Sequence, residues 1–242
     1  MKHNLHVFED AEKTAQAVAE LIREAATEKK RDSKPFNIAV SGGNTPRELF
    51  AYMADEYKDL IPWQTLRIFW VDERCVEPTH PDSNFGMTHD NLLYQPFIPS
   101  THVFRMKGEE FPEDEALRYK NLLWKELPVK DGFPVFDLII LGVGFDGHTA
   151  SIFPDNLALI NSEKSVVVTI QPETKQKRLT LTAKVINNAE QVIFMVTGEN
   201  KSSIIADIIT KSEKAKKYPA SYITGSKGKV DFFLDEGASS KL

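Results

Sequence analysis

The stretch FDLIILGVGFDGHTASIFP, Phe136 to Pro154, changes character at Leu141. Up to that point it is almost continuously apolar, with no alternation of polar and apolar positions. Such a run fits a strand buried on both faces, as in a parallel sheet. Beyond it, three glycines, Asp146 and His148 crowd into seven positions where the strand should end. In open parallel sheets ligands bind outside the carboxyl ends of the strands, so this junction frames both the fold and the chemistry.

Other segments repeat the arrangement. FNIAV (Phe36–Val40) runs into SGGNTP and then the helical PRELFAYMA, and LRIFWV (Leu66–Val71) ends in DER. Apolar residues at Ala11, Ala15, Val18, Ile22 and Ala25 predict an amphipathic helix from Asp10 to Ala26. Leu117, Leu122, Leu123 and Leu127 predict another in PEDEALRYKNLLWKEL, and a third is expected over Asn200–Ile209. SVVVTI, RLTLT, QVIFMV, ASYIT and VDFFL are expected as further strands. Strands alternating with helices predict one α/β domain over residues 1–242, a three-layer, mainly parallel sheet with helices on both faces.

Composition narrows the function. The 242 residues are 41% hydrophobic and 27% charged, which excludes disordered and low-complexity classes. Net charge is −5, and the lysine-rich EKKRDSK and KSEKAKK are both interrupted by acids, so no nucleic-acid partner is expected. No apolar run approaches the roughly 20 residues that span a bilayer, and the N-terminus lacks a signal-peptide core, so no membrane association is expected. A single cysteine, Cys75, suits a reducing, cytoplasmic setting and reads as a buried, inert thiol.

Four strand ends carry unusual polar or glycine-rich residues: SGGNTP, DER, GVGFDGH and TGENK. In SGGNTP, glycines let backbone approach a ligand, and a following helix starting near Pro46 favours an anion. The segment lacks the lysine of a nucleotide P-loop, so a small phosphate ester fits better than a nucleotide. Lys201 and Arg178 are candidate cations for the same anion. Arg74 can orient a substrate oxygen or stabilise developing charge, while Asp72 and Glu73 form a possible carboxylate pair for acid–base work or hydroxyl recognition. An imidazole suits proton abstraction from water, which makes His148 a candidate general base. Asp146 either holds its tautomer or braces the turn. The remaining histidines have no tight ligand spacing, so no metal site is expected.

SGGNTP, WVDERCVEPTHPDSNFGM, LGVGFDGHTASIFP, RLTLT, NNAEQVIFMVTGENK and YPASYI together resemble the glucosamine-6-phosphate deaminase/6-phosphogluconolactonase family, on its lactonase branch. The likeness implies a Rossmann-like fold and hydrolysis of a sugar-phosphate lactone, 6-phosphoglucono-δ-lactone, without metal or organic cofactor. It implies His148 as general base, Asp146 as its orienter and Arg74 at the oxyanion. It also implies substrate contacts from Ser41, Gly42, Gly43, Asn44, Thr45, Asp72, Asn84, Gly144, Arg178 and Lys201, in a monomer or weak oligomer. Asn44 stands where the family often has Ser, and Cys75 where it often has a larger apolar residue. The deaminase branch resembles DEY and DGHIAFNEP, against DER and DGHTASIFP here. The other alternative is a catalytically silent sugar-phosphate sensor on the same scaffold.

Overall fold

The computed structural model describes residues 2–226 and 228–242. Among them, seven strands form one sheet in the order β1 (Lys2–Phe8), β12 (Lys229–Asp235), β11 (Gln191–Val196), β8 (Leu138–Leu141), β2 (Phe36–Val40), β3 (Leu66–Trp70) and β5 (Val103–Phe104), numbered along the chain. Every adjacent pair is parallel. The uniformly apolar runs become the central strands: every residue of β2 and β8 is buried.

Alternate side chains feed two cores. Ile38 and Val40 of β2, Leu138 and Ile140 of β8, and Ile193 and Met195 of β11 pack against α1 (Ala11–Arg31) and α2 (Asn44–Glu56). Ala39, Ile139, Leu141, Val192 and Phe194 point the other way. They meet α4 (Pro112–Glu126), α5 (Ala183–Asn187) and α6 (Ser202–Thr210). The three-layer α/β fold is the one the sequence pattern predicts. Helix α1 begins where Asp10 accepts a hydrogen bond from the Lys13 N–H, an N-cap.

Chain direction creates the crevice. From β2 the chain moves outward to β3, whereas from β8 it moves the opposite way to β11. Neighbouring strands whose connections diverge leave a gap at their carboxyl ends, the usual ligand position in open α/β sheets.

Three readings need correction. DER is strand β4 (Asp72–Arg74), not loop. It joins β10 (Lys177–Leu181) and β9 (Val166–Ile170) in a separate antiparallel sheet, so SVVVTI and RLTLT lie outside the central sheet. Val71 makes the corner: its N–H donates to Val40 O in the large sheet, and its carbonyl accepts from Leu181 N–H in the small one. ASYIT forms no strand; Pro219–Tyr222 is a 3₁₀ turn, since proline lacks an N–H for a ladder. Nothing in the sequence pattern marked β1, an edge strand whose Leu5 and Val7 remain exposed. A short hairpin, β6 (Val129–Lys130) and β7 (Phe133–Pro134), precedes β8.

Strand β5 is only two residues long, so it pairs with β3 only as far as Phe69. Tyr119 of α4 completes the edge. Its hydroxyl, fully buried, accepts from Trp70 N–H at 3.0 Å and lies 3.1 Å from Phe104 O and 3.2 Å from Trp70 O. Leu123 of the same helix and Leu127 just after it are buried, whereas Leu117 faces outward. Removing only the hydroxyl strands a buried N–H, which costs about 1–3 kcal/mol. Tyr119→Phe should therefore lower the unfolding free energy by that amount, read as a lower denaturation midpoint at an unchanged m value; an unaltered midpoint would mean that Trp70 finds another partner.

Candidate active site

The ends of β11, β8, β2 and β3 surround an open cavity of about 290 Å³. Its wall includes Ser41, Gly42, Gly43, Asp72, Arg74, Asn84, Gly144, His148, Arg178 and Lys201. The cavity thus gathers ten of the thirteen expected residues. Asn44, Thr45 and Asp146 do not line it. The Thr45 hydroxyl lies 3.0 Å from that of Thr197, which ties α2 to the end of β11.

Backbone conformation shapes the floor. Gly43 has φ +109°, a value that side chains resist, and helix α2 starts directly after it. The helix begins at Asn44 rather than Pro46. It has no side-chain cap and no acid in its first turn, so its leading N–H groups and positive dipole end are unspent.

The histidine loop is defined by what its glycines leave room for. A Cβ on Gly144 would fall 2.1 Å from His148 Nδ1 and 2.7 Å from Asp146 Oδ1. In that space Asp146 Oδ1 lies 2.6 Å from Nδ1, and it also accepts the His148 backbone N–H at 3.1 Å. The carboxylate therefore both meets the imidazole and braces the turn. Partial burial raises the Asp146 carboxyl, but the hydrogen bonds and charge of His148 outweigh it and hold the carboxyl below its usual range. An ionised carboxylate only accepts, so Nδ1 carries the proton, and in the neutral ring the lone pair is on Nε2. The ring packs against Phe153 at 5.0 Å between centroids.

Asp72 and Glu73 do not act as a pair. Successive residues of a strand point to opposite faces, and Asp72 faces the cavity while Glu73 faces away from it. Asp72 Oδ2 accepts from Ser151 Oγ at 2.7 Å, and its carbonyl accepts from Asn84 Nδ2 at 2.9 Å. Glu73 accepts from the N–H groups of Arg74, Asn84 and Phe85, each at 2.7 Å, and from Ser83 Oγ. It anchors the start of α3 (Asn84–Thr88) and brings the Asn84 amide into the place where a Gly42 side chain would be.

Positive charge dominates the remaining wall. Arg74 and Arg178 sit directly opposite each other across β4 and β10. The Nε of each is buried without a hydrogen-bond partner. Burial, with Arg74 beside it, lowers the Arg178 pKa. The Lys201 ammonium donates to Val143 O at 2.9 Å and lies over the Phe145 ring. Burial lowers its pKa, with Asp146 opposing. Cys75 packs against the core, and burial pushes its thiol up to about 11, which makes it a poor nucleophile. Sequence reasoning missed Ser151, Phe145 and the Val143 carbonyl as site components. Ser151 lay inside a motif already quoted, and Phe145 was the one large apolar residue in an otherwise small and polar turn. Among the described residues no cluster of three or more His, Cys, Asp or Glu gathers to hold a metal, and no helix is long and apolar enough to cross a membrane.

Residues 9–232 match the family described as glucosamine-6-phosphate isomerases/6-phosphogluconolactonase. A 6-phosphogluconolactonase of Treponema pallidum is 41% identical over 203 residues, 84% of this chain and 83% of the relative. One from Haemophilus influenzae is 36% identical over 226 residues, 93% and 95% of the two chains. Among solved structures, the 6-phosphogluconolactonase of Trypanosoma brucei superposes with a TM-score of 0.86. It is 31% identical, and 100% of this chain and 99% of that one are covered.

Glu73 gives the site a measurable pH signature. Burial, opposed by the three amides and aided by neighbouring Asp72, pushes its carboxyl up to about 7. The folded state thus holds the proton more tightly than the unfolded state. That stabilisation is complete below the unfolded pKa and is lost as pH rises through about 7. Glu73→Gln cannot ionise. The variant should be less stable near pH ~5, and its deficit should shrink by up to about 3 kcal/mol toward pH ~9. Parallel unfolding curves across that range would contradict the raised pKa.

Proposed function

The chain belongs to the glucosamine-6-phosphate isomerase/6-phosphogluconolactonase family, and from that premise we propose that it hydrolyses 6-phosphoglucono-δ-lactone to 6-phosphogluconate, with His148 as general base. The observation that carries this reading is the Asp146–His148 pair at the edge of a cation-walled cavity. Asp146 fixes the Nδ1–H tautomer, and the free Nε2 takes a proton from the water that attacks the lactone carbonyl. Arg74 and loop N–H groups stabilise the tetrahedral oxyanion, a contribution of about 3–4 kcal/mol per donor in hydrolytic sites. Collapse of that intermediate breaks the bond to the ring oxygen, which receives the proton back from Nε2. The new carboxylic acid loses its own proton to solvent. This lactone opening belongs to the oxidative pentose phosphate pathway.

The phosphate sits at the unspent N-terminus of α2, approached by main-chain N–H groups of Gly43 to Thr45 and by Arg178 and Lys201. Asn44 and Thr45 serve through their backbone, since neither lines the cavity and the Thr45 hydroxyl meets Thr197. Asp72, held by Ser151 and Asn84, accepts from a sugar hydroxyl. The lone, half-buried thiol favours a cytoplasmic setting, and the enzyme acts as a monomer or weak oligomer.

Purified protein should accelerate 6-phosphogluconolactone hydrolysis above the spontaneous rate and leave glucosamine 6-phosphate untouched. No acceleration at micromolar enzyme would refute the assignment. His148→Ala should lower kcat by about 10²–10⁴ while 6-phosphogluconate still binds. Lys201→Ala and Arg178→Ala should chiefly raise KM, and unchanged KM in both would move the phosphate elsewhere.

A further inference from the structure

Phe145 stands out among the residues that the catalytic reading leaves unused. It lies at the tip of the histidine loop and is 70% exposed. It belongs to neither hydrophobic core. A large ring in that position gains little from burial, so packing does not account for it. What the ring does contact is the Lys201 ammonium, centred 3.4 Å above its face. The negative face of an aromatic ring attracts a cation, most strongly where water is partly excluded. Lys201 is half-buried there and makes no ion pair with any carboxylate among the described residues.

We infer that Phe145 is a positioning residue for substrate phosphate: its ring face and the Val143 carbonyl hold the Lys201 ammonium ready for the anion. This inference rests on the reading of Lys201 as a phosphate ligand. An ammonium has three donors. One goes to Val143 O at 2.9 Å and the ring covers a second side, which leaves a donor for the cavity. Neither partner carries a full charge, so the lysine is held without being neutralised. A carboxylate in the same place would fix the side chain and cancel the attraction for phosphate. Ordering a four-carbon lysine stem before the ligand arrives also removes a cost that binding would otherwise carry. Phe145 is therefore a determinant of affinity for the phosphorylated substrate and takes no part in proton transfer at His148.

Because the ring is exposed, substitutions there leave the folded core intact, and the face of the ring can be tested separately from its bulk. Phe145→Leu keeps an apolar side chain and removes the face; it should raise KM for 6-phosphogluconolactone about three- to tenfold, with kcat changed far less. The calorimetric Kd of 6-phosphogluconate should weaken by the same factor. Phe145→Tyr and Phe145→Trp keep a π face and should stay within about twofold of the parent. In a Lys201→Ala background, Phe145→Leu should add less than about twofold, because the two side chains act as one unit. A raised KM in Lys201→Ala with none in Phe145→Leu would overturn the role of Phe145 while sparing that of Lys201. Equal losses in the Leu, Tyr and Trp variants would overturn it as well, since a π face would then carry no advantage. An unchanged KM in Lys201→Ala would remove the phosphate reading and this inference together.

Discussion

The site depends on two strands that lie side by side and lead their chains apart. Every residue of β2 and β8 is buried, and apart from Asn37, whose amide donates to Asp137 just before β8, both strands are wholly apolar. The other polar groups gather at the carboxyl ends, where the backbone turns toward opposite halves of the sheet. The crevice there needs no dedicated domain or lid. It follows from chain direction, and β3 and β11 extend its rim on either side.

Electrostatically the cavity is built for a guest. Like charges directly opposite in an antiparallel pair are destabilising, yet Arg74 and Arg178 face each other across β4 and β10 with both Nε groups unpartnered. Asp72, one of the carboxylates that act on Arg178, is also engaged by Ser151 and Asn84. Lys201 is held by a carbonyl and a ring. The positive charge around the α2 N-terminus therefore suits an anionic ligand. A doubly charged phosphate ester meets that requirement, whereas a neutral sugar does not.

Much of this was legible in the sequence, for identifiable reasons. Buried parallel strands announce themselves as short apolar runs and three of their ends as glycine-containing turns, so those three rim loops could be placed, whereas DER, with neither glycine nor proline, is strand β4. The small antiparallel sheet was not legible because its pairing joins Arg74 to Arg178 across a hundred residues. Three residues of β4 are too few to show a period. Missing that strand also hid the alternation that sends Asp72 into the cavity and Glu73 behind it. Phe145 escaped because an exposed aromatic side chain in a turn has no periodicity, and its partner Lys201 comes from another strand end. The extra strand β1 escaped as an edge whose apolar side chains stay exposed.

Glycines carried the strongest signal, and the structure changes what that signal means. At Gly43 the familiar reading holds, since φ is +109°. At Gly42 and Gly144 the backbone conformation is ordinary, and the constraint is occupied space. Asn84 fills the place of one Cβ, and the Asp146–His148 pair fills the place of the other. A methyl group at Gly144 would be incompatible with the 2.6 Å contact that sets the tautomer of His148. The absent side chain at Gly144 is thus a condition for the Asp146–His148 contact on which the proposed general base rests.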